Sequence, residues 1–237
     1  MTAPSLDTAR IRAITLDLDD TLWPVWPTIE RAEDALRHWL DAHAPAAAAL
    51  ARDADTARRA RQQALAGLGG QTHDLGLIRQ HMIRQLLDFA GEPLHLAEPA
   101  YQVFLAARQQ VSLFDDALPA LQRLGARYPL VALSNGNADV QRIGIGQHFH
   151  AAISAAQVGV AKPHARIFAA AAQAAGVPGG AVLHIGDDAQ LDGTGALAAG
   201  MQMAWINRDA APWPEVAGAA PHATVGDLLA LCDLLGV

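Results

Sequence analysis

Apolar residues fall into two rhythms along this chain. Short, mainly apolar runs occupy 13–18 (AITLDL, ending in acids), 130–134 (LVALS), 181–185 (AVLHI) and 202–206 (QMAWI). Their shortness and lack of alternation predict strands buried on both faces. Between the later runs the period lengthens to that of a helix. The segment 164–175 (HARIFAAAAQAA) stops at Gly176 and Pro178, and 192–199 stops at Gly200, which are helix-ending signals. Strands alternating with helices predict an α/β protein with a parallel sheet.

The first two runs are too far apart for a simple crossover. Asp17 and Ser134 are separated by 117 residues, whereas a βαβ unit needs only about 30. The intervening stretch shows no strand pattern but carries helical periods at 28–42, 46–66, 75–90 and 97–110, which predicts an inserted all-helical cap of four helices over 24–112. The core is then 1–23 together with 113–237. In the third helix Leu75, Ile78, Met82, Leu86 and Phe89 recur every three or four positions and read as the core-facing stripe, with Arg79 and Arg84 beside or opposite it. The Ala-rich stretches 44–51 and 169–175 suit packed helices and carry no functional signal.

Chemistry-bearing residues gather where the predicted strands end. Asp17-Leu18-Asp19-Asp20-Thr21 follows the first strand and places two carboxylates at the carboxyl edge of the sheet, where ligands bind in such folds. By itself this cluster also fits an Asp/Thr turn. Ser134-Asn135-Gly136 follows the second strand, offering a hydroxyl and main-chain N–H donors, with Gly136 permitting close approach of an anion. Lys162-Pro163 precedes a helix and sets an ammonium near a helix N-terminus. Gly186-Asp187-Asp188 and then Asp192 bring further carboxylates to the same edge, where oxygen ligands can hold a hard cation. Four modest signals in one order, three of them closing a strand, make a specific pattern.

In these motifs the chain resembles the haloacid dehalogenase superfamily, whose pattern is Asp-x-Asp-x-Thr, a Ser or Thr after the second strand, a Lys, and a terminal acidic pair. The resemblance covers nearly the whole chain and implies a Rossmann-like core with helices on both faces and a helical cap inserted after the first motif. It implies Asp17 as the nucleophile that forms an aspartyl-phosphate, Asp19 as general acid and base, and Thr21 as a support of the loop. Mg²⁺ would be held by the Asp17 side chain, the Asp19 carbonyl and Asp187, with Asp188 and Asp192 in support. Ser134, Asn135 and Lys162 would grip phosphoryl oxygens. The stretches LDLDDTLW, LVALSNGNADV, HIGDD and GMQMAWI are similar to the bacterial phosphatases that act on flavin mononucleotide and on phosphoribitylaminouracil in riboflavin synthesis. The expected partner is therefore a small phosphorylated metabolite, preferably a ribityl or nucleotide phosphate, with substrate choice residing in the cap.

Composition narrows this reading without redirecting it. The 237 residues are 51% hydrophobic and 17% charged, with formal net charge -7, enough apolar material for one core plus a satellite and no basic run to track nucleic acid. No apolar stretch reaches the ~18 residues of a membrane span and the first residues lack a secretory apolar core, so a cytoplasmic location is expected. The single cysteine, Cys232, lies in an apolar run and reads as a small buried hydrophobe. His38, His43, His73 and His81 are scattered without metal-ligand spacing, and Gly144-Ile145-Gly146 lacks the third glycine of a dinucleotide fingerprint. Trp23 and Trp26, following the first motif, can either cover a planar leaving group or pack the hinge. A haloacid dehalogenase, a phosphomutase and a binding protein that has lost catalysis are the alternatives. Asp19 weighs against the first, because halide departs without a proton.

Overall fold

The computed structural model describes residues 5–237, so residues 1–4 of the expected core lie outside the described residues. The chain divides into two compact units, one running to Pro24 and resuming at Ser112, the other spanning Val25–Val111.

The first unit holds a six-stranded parallel sheet: β1 (Ala13–Leu16), β2 (Leu130–Ser134), β3 (Ala151–Ser154), β4 (Val182–Gly186), β5 (Gln202–Ile206) and β6 (Ala223–Val225). Their order across the sheet is β3-β2-β1-β4-β5-β6. Every residue of β1, β2, β4 and β5 is buried, as strands covered on both faces must be. One face packs Val131, Leu133, Val182 and Met203 against Ile167, Phe168 and Ala171 of the helix Ala165–Ala174. The chain leaves β1 toward β2 on one side and returns to β4 on the other, with Ile14 beside both Leu130 and Leu183. Such a reversal splays successive loops apart and opens a crevice at the carboxyl edge.

The four apolar runs are the four central strands. Two edge strands escaped the pattern: β3 reads AAIS and β6 only ATV, both partly exposed and poor in bulky β-branched residues, so neither carries a periodic signal. Cys232 is buried and unpaired.

The second unit is helical throughout, but with five α-helices rather than four: α1 (Val25–His43), α2 (Pro45–Arg52), α3 (Ala54–Gly67), α4 (Leu75–Ala90) and α5 (Ala97–Arg108). The expected helix over 46–66 breaks at Asp53, whose carboxylate accepts from the Thr56 N–H at 2.8 Å and starts α3 as its N-cap, a role that Asp favours over continuing a helix. The core-facing stripe of α4 is also displaced from expectation. Leu75, its first residue, is 47% exposed, while Ile78, Ile83, Leu86 and Leu87 are buried. Ile83 and Leu87 join Leu36, Leu40, Tyr101 and Phe104 from α1 and α5 in one cluster. Among the described residues no helix is long and apolar enough to cross a membrane.

This packing sets a graded expectation for α4. Leu87→Ala opens a cavity and lowers unfolding free energy by about 2–5 kcal/mol, whereas Leu75→Ala changes it by less than about 0.5 kcal/mol. Urea denaturation of the two variants measures the contrast.

Candidate active site

The loop after β1 is a tight, self-bonded turn. Asp17 still donates its N–H to the Ile185 carbonyl of β4 at 2.9 Å, which fixes where the chain leaves the sheet. Asp20 then takes a positive φ of 58°, and the turn closes through Leu22 N–H to Leu18 O at 2.8 Å and Asp20 N–H to Trp23 O at 2.7 Å. Inside it, the buried Thr21 hydroxyl donates to Asp187 Oδ1 at 3.0 Å and lies 3.5 Å from Asp17 Oδ2. From outside, Arg208 donates to the Thr21 carbonyl at 2.9 Å and to Asp116 Oδ2 at 3.0 Å, with its guanidinium 3.9 Å above the Phe114 ring.

Lys162 reaches the same point from the loop before the helix Ala165–Ala174. The Asn135 side chain sets that loop in place, accepting from the Lys162 N–H at 2.7 Å and donating to the Lys162 carbonyl at 3.1 Å. Lys162 is only 4% exposed, and its ammonium bonds Asp17 Oδ1 and, at 2.7 Å, Asp192 Oδ1. Asp192 is held in turn by His184 Nε2 at 3.0 Å and by the Asp188 N–H on its other oxygen at 3.1 Å. His184 Nδ1 lies 2.8 Å from the Thr15 hydroxyl. An ionised Asp192 only accepts, so Nε2 carries the imidazole proton and Nδ1 accepts from Thr15. A buried relay Thr15–His184–Asp192–Lys162–Asp17 results. Gly186 makes room for it, since a Cβ there would fall on the Asp192 carboxyl group.

Each charge state has an identifiable cause. Burial alone would lower the Lys162 pKa, but the adjacent Asp17 and Asp192 charges outweigh it and raise it above the ordinary value. Asp192 is also penalised by burial, yet Lys162 and the His184 bond hold it well below the carboxylate range. His184 is pushed down by burial and stays neutral despite Asp192. Burial drives Asp17 upward, with Lys162 opposing and the Asp192 and Asp187 charges adding to the rise. Asp187, half-buried, is pushed up to about 7 by desolvation and the neighbouring Asp192 charge, against the pull of its Thr21 bond. The site therefore has one cation for three carboxylates, an arrangement that a second cation relieves.

The donor set suits such a cation. Asp17, Asp187 and Asp192 offer carboxylate oxygens all within 4.8 Å of one another, and hard oxygen donors match Mg²⁺. Asp192 already accepts from Lys162, His184 and the Asp188 N–H, so Asp17 and Asp187 are the pair better placed to give up a lone pair.

The structure brings Asp17, Thr21, Ser134, Asn135, Lys162, Asp187 and Asp192 to one edge of one sheet, with Asp19 and Gly136 on the adjoining loops. Some are occupied differently from the sequence-based expectation. The Asn135 amide is committed to the Lys162 main chain, so any grip on a phosphoryl oxygen falls to its N–H. Asp188 caps the following helical turn, accepting from Gln190 and Leu191 N–H at 2.8 and 2.9 Å, and supports Asp192 through its main chain. Ser134 Oγ accepts from the Gly136 N–H at 2.9 Å. Trp23 and Trp26 part company: Trp23 is fully buried and donates from Nε1 to Asp19 Oδ1 at 2.8 Å, while Trp26 is 71% exposed. Arg79 pairs with Glu33 at 2.6 Å and lies over the Phe104 ring, a packing role within its own unit. Arg84 lines a hollow of about 310 Å³ with Gln80, His81 and His95.

Sequence reasoning missed His184, Thr15 and Arg208. His184 sits inside an apolar strand run, where a lone imidazole in VLHIG was the available signal, because a polar ring with no exposed face must find a buried partner.

The chain matches known proteins in sequence and in fold. A sequence model of the haloacid dehalogenase-like hydrolases matches residues 11–200. The chain is 31% identical over 232 residues to the 5-amino-6-(5-phospho-D-ribitylamino)uracil phosphatase YigB of Escherichia coli, covering 95% of this chain and 97% of that one. It is 32% identical over 159 residues to a phosphoserine phosphatase of Thermus thermophilus, 65% of this chain and 63% of the other. A solved 2-haloacid dehalogenase structure from Pseudomonas syringae superimposes with TM-score 0.89 at 34% identity, covering 95% of this chain and 98% of that one.

The crowding of carboxylates makes stability depend on pH. Below about pH 4, Asp187 is protonated in folded and unfolded chains alike and costs nothing. As pH rises toward 7 the unfolded chain ionises first while the folded one holds its proton, so the metal-free protein loses stability across that window and levels off above it. Asp187→Asn, whose amide oxygen can still accept from Thr21, removes the penalty. Thermal unfolding in the presence of chelator is expected to show the variant more stable than the parent at pH 8, with the gap closing at pH 4.

Proposed function

The chain belongs to the haloacid dehalogenase-like hydrolases, and from that premise we propose that it is a Mg²⁺-dependent phosphatase of small phosphate monoesters, working through an aspartyl-phosphate on Asp17. The observation that carries this reading is the buried Asp17 carboxylate bonded to the Lys162 ammonium, with Asp19 two residues away. A carboxylate attacking a phosphate ester must approach an anion, and the ammonium offsets that repulsion where the charges meet.

Asp17 attacks phosphorus, the bond to the ester oxygen breaks, and Asp19 gives that oxygen its proton. Asp19, now ionised, takes a proton from a water that attacks the phosphorus of the aspartyl-phosphate, which releases inorganic phosphate and restores Asp17. Lys162 and the Asn135 main-chain N–H would bind the phosphoryl oxygens, and the Ser134 hydroxyl, whose oxygen accepts from the Gly136 N–H, has its own proton to donate to them. The Asp17 and Asp187 carboxylates and the Asp19 carbonyl would hold Mg²⁺, which supplies charge neutralisation at the phosphoryl group when bound.

The near full-length likeness to a phosphatase of a phosphoribityl compound supports a ribityl or nucleotide phosphate as the physiological ester. The likeness to a dehalogenase structure favours a second reading, displacement of halide from a 2-haloacid. Asp19 weighs against it, because that leaving group needs no acid.

Phosphate release from a panel containing flavin mononucleotide, nucleoside monophosphates and phosphoserine, with Mg²⁺ and with chelator, tests the proposal. Release that needs the metal and is fastest with the ribityl or nucleotide esters is expected. Chloride release from 2-chloropropionate without phosphate release would overturn it. Asp17→Asn is expected to lower turnover on the order of 10⁴-fold or more while leaving the thermal transition in place.

A further inference from the structure

Trp23 stands apart from the other tryptophans. Its ring is completely buried, yet its one polar atom points at the half-buried carboxylate assigned above as the acid and base: Nε1 donates to Asp19 Oδ1 at 2.8 Å. The main chain closes the same turn, with Trp23 O accepting from the N–H of the neighbouring Asp20 at 2.7 Å and a β-bridge joining Asp19 to Trp23. The indole cannot drift, because it is enclosed and its backbone is bonded to the turn it serves. An indole N–H only donates and a carboxylate accepts, so the bond holds one oxygen of Asp19 and leaves the other to face the reaction.

We propose that Trp23 is a positioning residue for the acid–base step: its N–H orients the Asp19 carboxyl group so that the proton reaches the departing ester oxygen. This rests on the reading of Asp19 as the general acid. Proton transfer is sharply dependent on position, since a displacement of about 1 Å can cost on the order of 10²-fold. The rival role, in which the bond merely satisfies a buried indole, predicts a different dependence on the leaving group.

The test is kcat/KM for para-substituted phenyl phosphates, from nitrophenyl to methoxyphenyl, with Mg²⁺, for the parent, Asp19→Asn and Trp23→Phe. This parameter reports the steps up to departure of the phenol, and the poorer leaving groups depend most on the acid. Asp19→Asn is expected to steepen the dependence of rate on leaving-group pKa. Trp23→Phe, which keeps the ring and loses the N–H, is expected to steepen it partway, losing on the order of 10-fold with methoxyphenyl phosphate and less than about 2-fold with nitrophenyl phosphate. A steepened line for Asp19→Asn with a parallel or unchanged line for Trp23→Phe overturns the positioning role alone. Unchanged slopes for both overturn the acid assignment, and the positioning role with it. Should Trp23→Phe fail to fold, β-(3-benzothienyl)alanine at position 23 keeps the bicyclic shape without the donor, and its slope decides the question in the same way.

Discussion

A buried ammonium held between two buried carboxylates is an expensive thing to build, and most of the core is arranged around that one. Lys162 between Asp17 and Asp192 joins three segments far apart in the chain: the loop after β1, the loop before the helix Ala165–Ala174, and the turn after β4. Removing the ammonium would leave two carboxylate charges facing each other in a buried site, and such losses run to about 3–5 kcal/mol. The parallel sheet makes the meeting possible, because the reversal of strand order puts β1 between β2 and β4 and points all three C-terminal ends at one crevice.

The supporting bonds are directed at keeping those charges in register. Asn135 clamps the Lys162 main chain in both directions, His184 and the Asp188 N–H occupy Asp192, and Thr15 anchors His184 from within the sheet. Thr21 ties Asp187 to the first loop, Trp205 Nε1 donates to the Asp187 carbonyl at 2.6 Å, and Arg208 pins the Thr21 carbonyl. What remains unsatisfied is electrostatic: carboxylates outnumber cations, and Asp187 bears the consequence in a pKa pushed up to about 7. Strain of this kind at a preorganised site is the usual trade of stability for function.

Much of this was legible in the sequence because it is written in local pattern. The runs LVALS and QMAWI coincide with β2 and β5, since strands covered on both faces need uninterrupted apolar residues. The motif acids and Lys162 stood out as polar residues at the ends of those runs. The rest depends on partners far away in the chain. AAIS became β3 because Val131 and its neighbours offered an edge to pair with, something no window of four residues reveals. The helical period over 46–66 gave no hint that Asp53 would cap rather than continue. Phase along α4 was set by where α1 and α5 lay, so Leu75 faced outward while Ile83 and Leu87 turned in. His184 and Arg208 acquire meaning only through Asp192 and Thr21, residues 8 and 187 positions distant.

The claim on which the account turns is that Asp17 carries the phosphoryl group and that water then attacks phosphorus. Turnover in oxygen-18 water, quenched with acid and followed by mass spectrometry of the peptide containing Asp17, addresses it directly. The account predicts a fraction of that peptide carrying a phosphoryl group on Asp17, with no heavy oxygen in the carboxyl group of the remainder. Heavy oxygen in the Asp17 carboxyl, which arises when water attacks the carboxyl carbon of an ester intermediate, would contradict it.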